Sequence, residues 1–299
     1  MNKEKIKFRI IDGIYIAMMV LPLLFGILLQ VLTKPALEGI SISGARIFFE
    51  IPMPIQNFII TESQINSLLV MIVILGICLY LTHGLSAHIK LKRQHFAEMI
   101  VEMVDSLVNG NMGTYFKGFA PFIIAMLGLS ALSSLITLLG LYPPTSDINI
   151  VGGWALLVFF LITYYKFKCG PISYMKSFTQ PVALLTPINV ISEVATPVSM
   201  AFRHYGNVLS GSVIAVLVST GLSGVSKMFF GSLPGTFSDI PLFQIGIPAV
   251  LSIYFDVFSG CLQAFIFAML TMMYVSGAFS QDEYEKRKAA RAAKNKKVN

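Results

Sequence analysis

The chain has 299 residues, 55% of them hydrophobic and only 12% charged, with a formal net charge of +7. Soluble domains carry about 25% charged residues, so half that charge and a mean hydropathy of +0.75 exclude a water-soluble globule, a disordered chain, a collagen-like repeat and a disulfide scaffold. The basic balance, with a pI near 9.3, then points to a membrane surface rather than to nucleic acid, and the chain reads as an all-α integral membrane protein.

Six stretches are long enough to cross a hydrocarbon core of about 30 Å, which takes about 20 residues of helix. They are Gly13–Leu32, Ser67–His83, Phe119–Leu141, Ile150–Tyr165, Ile191–Phe230 and Pro241–Phe279. The first follows a basic start, as a secretory signal does, but its apolar core is long and no small-x-small cleavage site follows, so it reads as a retained anchor. Eighteen of the 22 basic residues fall before the first span, between the second and third, after the fourth, or after the sixth. By the positive-inside rule both termini are cytoplasmic. The expected organisation is a basic tail at 1–11, one membrane domain at 12–280 with an anchor at 12–33, and a second basic tail at 281–299.

Between the second and third spans, Phe96, Met99, Ile100, Met103, Val104, Leu107 and Val108 recur at helical spacing opposite Glu98, Glu102 and Asp105. That pattern predicts an amphipathic helix lying along the cytoplasmic boundary against protein; an ordinary connector is the alternative. The fifth and sixth stretches are each about 40 residues, roughly 60 Å as helix, which predicts a steeply inclined hairpin joined by 231–240. Pro197, Gly206, Gly211, Gly221 and Gly224 are candidate bends. Cys78, Cys169 and Cys261 stand in no ligand or redox spacing and read as small apolar residues, so neither metal nor cofactor is expected.

An ionisable group at mid-membrane costs about 2.5–3.5 kcal/mol on insertion scales and is a functional candidate by default. Arg203 lies ten residues past Glu193 in the fifth span, and its guanidinium cannot lose its proton. Asn207 and Ser210 follow at i+4 and i+7, forming a polar stripe. In the sixth span Asp256 and Gln263 are seven residues apart and are expected on one face. The set reads as an ion path; the alternatives are a structural ion pair of Arg203 with Asp256 or Glu193, and interhelical hydrogen bonding by Asn207 and Gln263.

The run Thr186–Ser212, TPINVISEVATPVSMAFRHYGNVLSGS, resembles the arginine-bearing helix of subunit a of F-type ATP synthases, with matches at Pro197, Val198, Ser199, Arg203, Gly206 and Asn207. Gln263–Phe267 resembles that family's Q-A-F-[IV]-F signature, YPPTSDINI its P-[ST]-[AS]-D-[IV]-N turn with Asp147, and ITESQINSLLVM the start of its first span. The likeness covers about Ile59 to Phe279, a family-like core at 59–279. It implies a stator that carries ions, with the proton as the expected one, through two half-channels against a rotating ring of c subunits in a bacterial plasma membrane. A b-type peripheral stalk is the other implied partner, and the subunit is implied to be non-catalytic.

On that likeness Arg203 attracts each ionised ring carboxylate and blocks a leak between the half-channels, a task for a permanent cation. Asp256 is implied as the entry relay. Glu193 and Asn189 match polar positions near the cytoplasmic exit, and Thr196 stands where Lys is frequent. Ser212 stands where His or Glu is common. His204 and Tyr205 replace Leu-Phe after the arginine; His204 either tunes the exit by titrating or faces headgroups or a neighbouring helix. An ion-coupled secondary transporter is the competing class, but such proteins show paired repeats, and none is found here. An intramembrane enzyme lacks any supporting motif.

Overall fold

Without water to satisfy its backbone, an apolar run in lipid must close its own hydrogen bonds, and the α-helix does so within one segment. In the computed structural model, which describes residues 3–33, 44–54, 57–85, 92–179, 183–230, 242–281 and 284–288, each of the six runs is helical. The helices are α1 (Lys3–Thr33), α2 (Glu62–Thr82), α3 (Lys92–Met112), α4 (Ala120–Leu135), α5 (Ile148–Cys169), α6 (Pro171–Ser177), α7 (Thr186–Phe230), α8 (Leu242–Ser252) and α9 (Gly260–Gly277). A 3₁₀ segment, Thr114–Phe119, leads into α4. A π-helical turn, Ile253–Ser259, joins α8 to α9. Six of the described helical stretches are long and apolar enough to span a membrane, as composition predicts. The expected 231–240 connection and the tail beyond 288 lie outside the described residues.

One element escapes the sequence reading. Ile47–Ile51 (β1) and Phe58–Thr61 (β2) pair antiparallel, with a register irregularity between Ile47 and Phe49. The segment runs straight into α2, which therefore begins at Glu62, five residues before the expected Ser67. Thr61 caps that helix in a capping box with Gln64. The strands sit at the end of the bundle where α1 finishes: Arg46 donates to the Thr33 carbonyl at 3.3 Å, and Gln30 of α1 reaches the Gly140 carbonyl.

At the other end α1 is pinned to α2 and α3. Asp12 accepts from Arg93 at 2.8 Å and contacts His83 Nδ1 at 2.8 Å, while Arg93 also donates to the His83 carbonyl at 2.7 Å. Phe8 stacks on the His83 ring at 4.3 Å. The extra helix is thus tied into the bundle by charge-assisted bonds at one end and backbone contacts at the other.

The main core lies where α3, α4, α5, α7 and α9 converge. Val104, Val108, Phe116, Ile123, Val158, Met200, Phe267 and Met272 meet there. In α5 the buried residues Val151, Ala155, Val158 and Ile162 recur at i, i+4, i+7, the spacing of one helix face. Only half of the apolar stripe of α3 is used: Val104 and Val108 are buried, whereas Phe96 and Met103 stay 50% and 62% exposed.

Helix α7 runs unbroken through Pro197 for 45 residues, about 68 Å at 1.5 Å per residue, so it crosses a 30 Å core only at a steep incline. The proline removes one backbone hydrogen bond, that to the Glu193 carbonyl, without ending the helix. Helix α9 approaches α4 at Gly260, where an added Cβ would stand 2.7 Å from the Ser134 Cβ. Gly260→Ala is therefore expected to destabilise the detergent-solubilised protein by about 1–3 kcal/mol despite the better helix propensity of alanine. Gly153→Ala, with open space at its Cβ, should be neutral or stabilising by up to about 1 kcal/mol. Thermal unfolding of the two variants checks the contrast.

Candidate ion-translocation site

Two faces of α7 divide its chemistry. Pro197, Met200, Ala201, His204 and Gly211 are buried at the spacing of one helical face, and they turn toward the bundle. Val198, Phe202 and Leu217 are 45%, 61% and 61% exposed, and Arg203 lies exposed among them. No hydrogen bond or ion pair joins Arg203 to any described residue, and both ion pairs weighed for it, with Asp256 and with Glu193, are absent. A permanent cation stands unpaired on an apolar outer face.

Asn207 and Ser210 follow Arg203 along one side of the unbroken helix, but their hydrogen bonds go to different partners. Asn207 turns to the C-terminal helices and donates to the Ser259 hydroxyl at 2.8 Å, while Ser210 bonds back to the Asn207 carbonyl of its own helix at 3.1 Å. The helices come close here: a Cβ on Gly211 would meet the Phe255 ring at 3.1 Å. Ser212 is exposed, with its hydroxyl on the Leu209 carbonyl at 2.8 Å.

Asp256 sits inside the π-helical turn. It is half-buried and accepts a hydrogen bond from Ser252 one turn back. The expectation that Asp256 and Gln263 share a face is overturned by this turn. A π segment advances by fewer degrees per residue than an α-helix, so seven residues no longer return to the same side. Gln263 is 4% exposed beside Ala264 and Phe267 in the bundle, whereas Asp256 is half-buried, three residues before the Ser259 that holds Asn207. Such turns are frequent at functional sites, and no apolar periodicity announces them.

At the basic end, Glu193 forms a two-pronged ion pair with Lys166 of α5, at 2.6 and 2.7 Å. The Tyr174 hydroxyl donates to the same carboxylate at 3.4 Å. Burial first, and then the Glu193 charge, push the Tyr174 phenol above its ordinary range. A cavity of about 200 Å³ opens beside the pair, bordered by Phe159, Thr196 and Tyr274. Asn189 donates to the Phe178 carbonyl at 2.8 Å, further along the same end. Sequence reasoning does not single out Lys166 as the partner of Glu193, because Lys168 shares its signal as a basic residue in the last turn of α5.

At the opposite end Asp147 caps α5, accepting from the Asn149 amide at 2.9 Å, and its other oxygen accepts from Ser63 of α2. Nearby, Asn66 donates to the Tyr142 carbonyl at 2.8 Å. Burial first, and then the Asp147 charge, raise the Tyr142 phenol above its ordinary range. Asp147 and Glu193 thus mark opposite ends of the bundle.

His204 faces the interior. It is fully buried, with the rings of Trp154 and Phe267 edge-on at 6.0 and 5.6 Å and its Nε2 3.4 Å from the Ser130 hydroxyl. Of the positions weighed for it, headgroups are ruled out and a neighbouring helix is found. Among the described residues no three His, Cys, Asp or Glu side chains converge to hold a metal ion.

The described residues thus form a bundle of long apolar helices with an exposed arginine on one face of α7. The profile of the "ATP synthase A chain" family matches residues 65–276, most of the chain, and the chain belongs to that family. It is 26% identical over 275 residues to "ATP synthase subunit a, sodium ion specific" of Propionigenium modestum, covering 81% of this chain and 88% of that one. Subunits a of Bacillus pumilus and Desulforamulus reducens are 32% and 34% identical, covering 71% and 62% of this chain and 88% and 66% of theirs.

The Lys166–Glu193 pair yields a direct test. Lys166→Met and Glu193→Gln should each destabilise the protein, and the double variant by less than the sum. A coupling energy of about 1 kcal/mol is expected for a partly exposed pair, measured by a double-mutant cycle of unfolding in detergent.

Proposed function

We propose that this chain is the ion-translocating subunit of an ATP synthase membrane sector, carrying protons through two offset half-channels against a rotating ring of c subunits. The observation that carries the reading is Arg203, exposed and unpaired on the apolar outer face of α7. A bare guanidinium against hydrocarbon is unfavourable by several kcal/mol, so this face requires an anionic partner, and a carboxylate passing on a ring supplies one. The attraction makes such a carboxylate give up its ion as it arrives, and the permanent positive charge repels a cation that would leak directly between the two paths.

The entry path runs from the end that carries Asp147 toward Asp256, and the exit runs from Arg203 toward Glu193 and its cavity. Asp256 takes up the incoming proton, with Asn207 and Ser259 holding the two helices at its flank; Gln263 steadies the turn from the bundle side. Glu193, with Lys166 beside it and Asn189 beyond, forms the exit vestibule. Ser212 lines the outer face of α7. The basic distribution supports a cytoplasmic location for the Glu193 end and for both basic tails, in the plasma membrane of a bacterium. The exposed Phe96 and Met103 of α3 offer an apolar strip at that boundary to a b-type stalk subunit. The subunit itself catalyses no reaction; ATP chemistry belongs to other parts of the complex. A secondary transporter is disfavoured by the family match.

Arg203→Ala is expected to abolish ion-driven ATP synthesis in proteoliposomes while the complex still assembles, and synthesis at normal rates would overturn the reading. Asp256→Asn should slow synthesis most when the entry side is alkaline and protons are scarce. Stimulation of ATP hydrolysis by Na⁺ at high pH would replace the proton with sodium as the coupling ion.

A further inference from the structure

We propose that the cavity between the end of α5 and the 284–288 turn holds the phosphate of an anionic membrane lipid. The inference goes beyond the channel reading and needs only that this end of the bundle lies at a membrane surface. The cavity measures about 310 Å³ and is lined by Phe167, Lys168, Tyr284, Arg287 and Lys288. Three of these five side chains are cations, and no carboxylate is among them. Among the described residues, none of the three cations forms an ion pair with Asp or Glu.

Two of the cations are held in place without being neutralised. The Lys168 ammonium lies 5.5, 5.8, 5.8 and 5.4 Å from the ring centroids of Tyr115, Tyr164, Tyr165 and Tyr284. All four rings are within reach of cation–π attraction, and neutral rings fix the ammonium while leaving it its full charge. Arg287 Nη1 donates to the carbonyls of Phe167 and Lys168, each at 3.2 Å. These carbonyls belong to the last turn of α5, where the helix supplies no partner of its own. A guanidinium carries five N–H donors in a planar fork, so donors remain for an anion. Tyr284, Arg287 and Lys288 recur at i, i+3, i+4 and share one side of their turn. Glu285, the one described carboxylate of that turn, is exposed and lies outside the lining. Like charges gathered around one concavity repel, and an anion seated among them removes that cost. Phosphate suits the set: arginine meets two of its oxygens at once, and lysine adds a point charge.

The wall beside the cavity points to a lipid as the source of that phosphate. Leu156, Phe160, Tyr164 and Phe167 recur along one side of α5, and all four are exposed. The stripe runs from the cavity into the apolar part of the span, so an acyl chain can lie along it while its phosphate sits among the cations. Tyrosines at the ends of membrane helices stand at headgroup level, which puts the cavity at that depth. Basic pockets between membrane helices recognise such headgroups.

The test uses the full chain reconstituted in phosphatidylcholine vesicles, with phosphatidylglycerol as the anionic probe. Phe167→Trp in a Trp154→Phe background, which removes the single native tryptophan, puts a fluorophore on the cavity wall. Quenching by spin-labelled phosphatidylglycerol, set against phosphatidylcholine carrying the same label, gives the relative affinity at that wall. A preference of at least about ten-fold for phosphatidylglycerol is expected, and Arg287→Gln and Lys288→Gln should each lower it about five-fold. Lys286→Gln, which removes an exposed cation of the same turn outside the lining, should leave it unchanged. An equal fall with Lys286→Gln would mean general surface attraction and overturn the site, as would the absence of any preference in the parent chain. Loss of the preference on adding inorganic phosphate, against chloride at matched ionic strength, would assign the cations to a soluble phosphate and overturn the lipid source. Arg287 and Lys288 stand beyond the last span, so these variants test the site without altering the bundle core.

Discussion

A guanidinium cannot shed its charge to enter hydrocarbon, and the geometry around α7 follows from that constraint. Arg203 lies on the outer face with Val198 and Phe202, while the opposite face packs Met200, Ala201 and His204 into the bundle. Carboxylates that would neutralise it within the chain are held elsewhere, Glu193 by Lys166 and Asp256 by Ser252. An intramolecular pair would satisfy the arginine permanently and leave nothing for a passing charge to do. The unpaired state is costly in isolation, and a partner surface bearing carboxylates would remove that cost.

The bundle behind α7 serves to keep this face where it is. The contact of α7 with the π-helical turn is tightened by Gly211 against Phe255 and by the Asn207–Ser259 bond, and the α4–α9 contact by Gly260 against Ser134. Small residues let helix backbones approach in lipid, where association gains nothing from water exclusion. The two polar ends, Asp147 with Ser63 and Glu193 with Lys166, lie at opposite ends of the same bundle. Inside, His204, the residue after Arg203, meets the Ser130 hydroxyl of α4.

Much of this was legible in the residues themselves. The six apolar runs become helices because lipid leaves the backbone no other partner, and Arg203 stands out because nothing else in its span is permanently charged. Asn207 and Asp256 were visible as polar positions in apolar helices. The partners were not visible. That Glu193 belongs to Lys166 depends on α5 and α7 being adjacent, which neither helix encodes locally. The β1–β2 pair escaped because a four- or five-residue apolar run beside a long helix resembles its continuation.

Sequence alone determined that this chain lives in a membrane, how many times it crosses, and which arginine its helices cannot hide, because those follow from composition and from the price of charge in hydrocarbon. Tertiary structure alone decided which side of α7 that arginine faces, that the π-helical turn separates Asp256 from Gln263, and that His204 points inward to Ser130 rather than outward to headgroups. Helical register places residues on faces, but only the packing of one helix on its neighbours decides which face is inside.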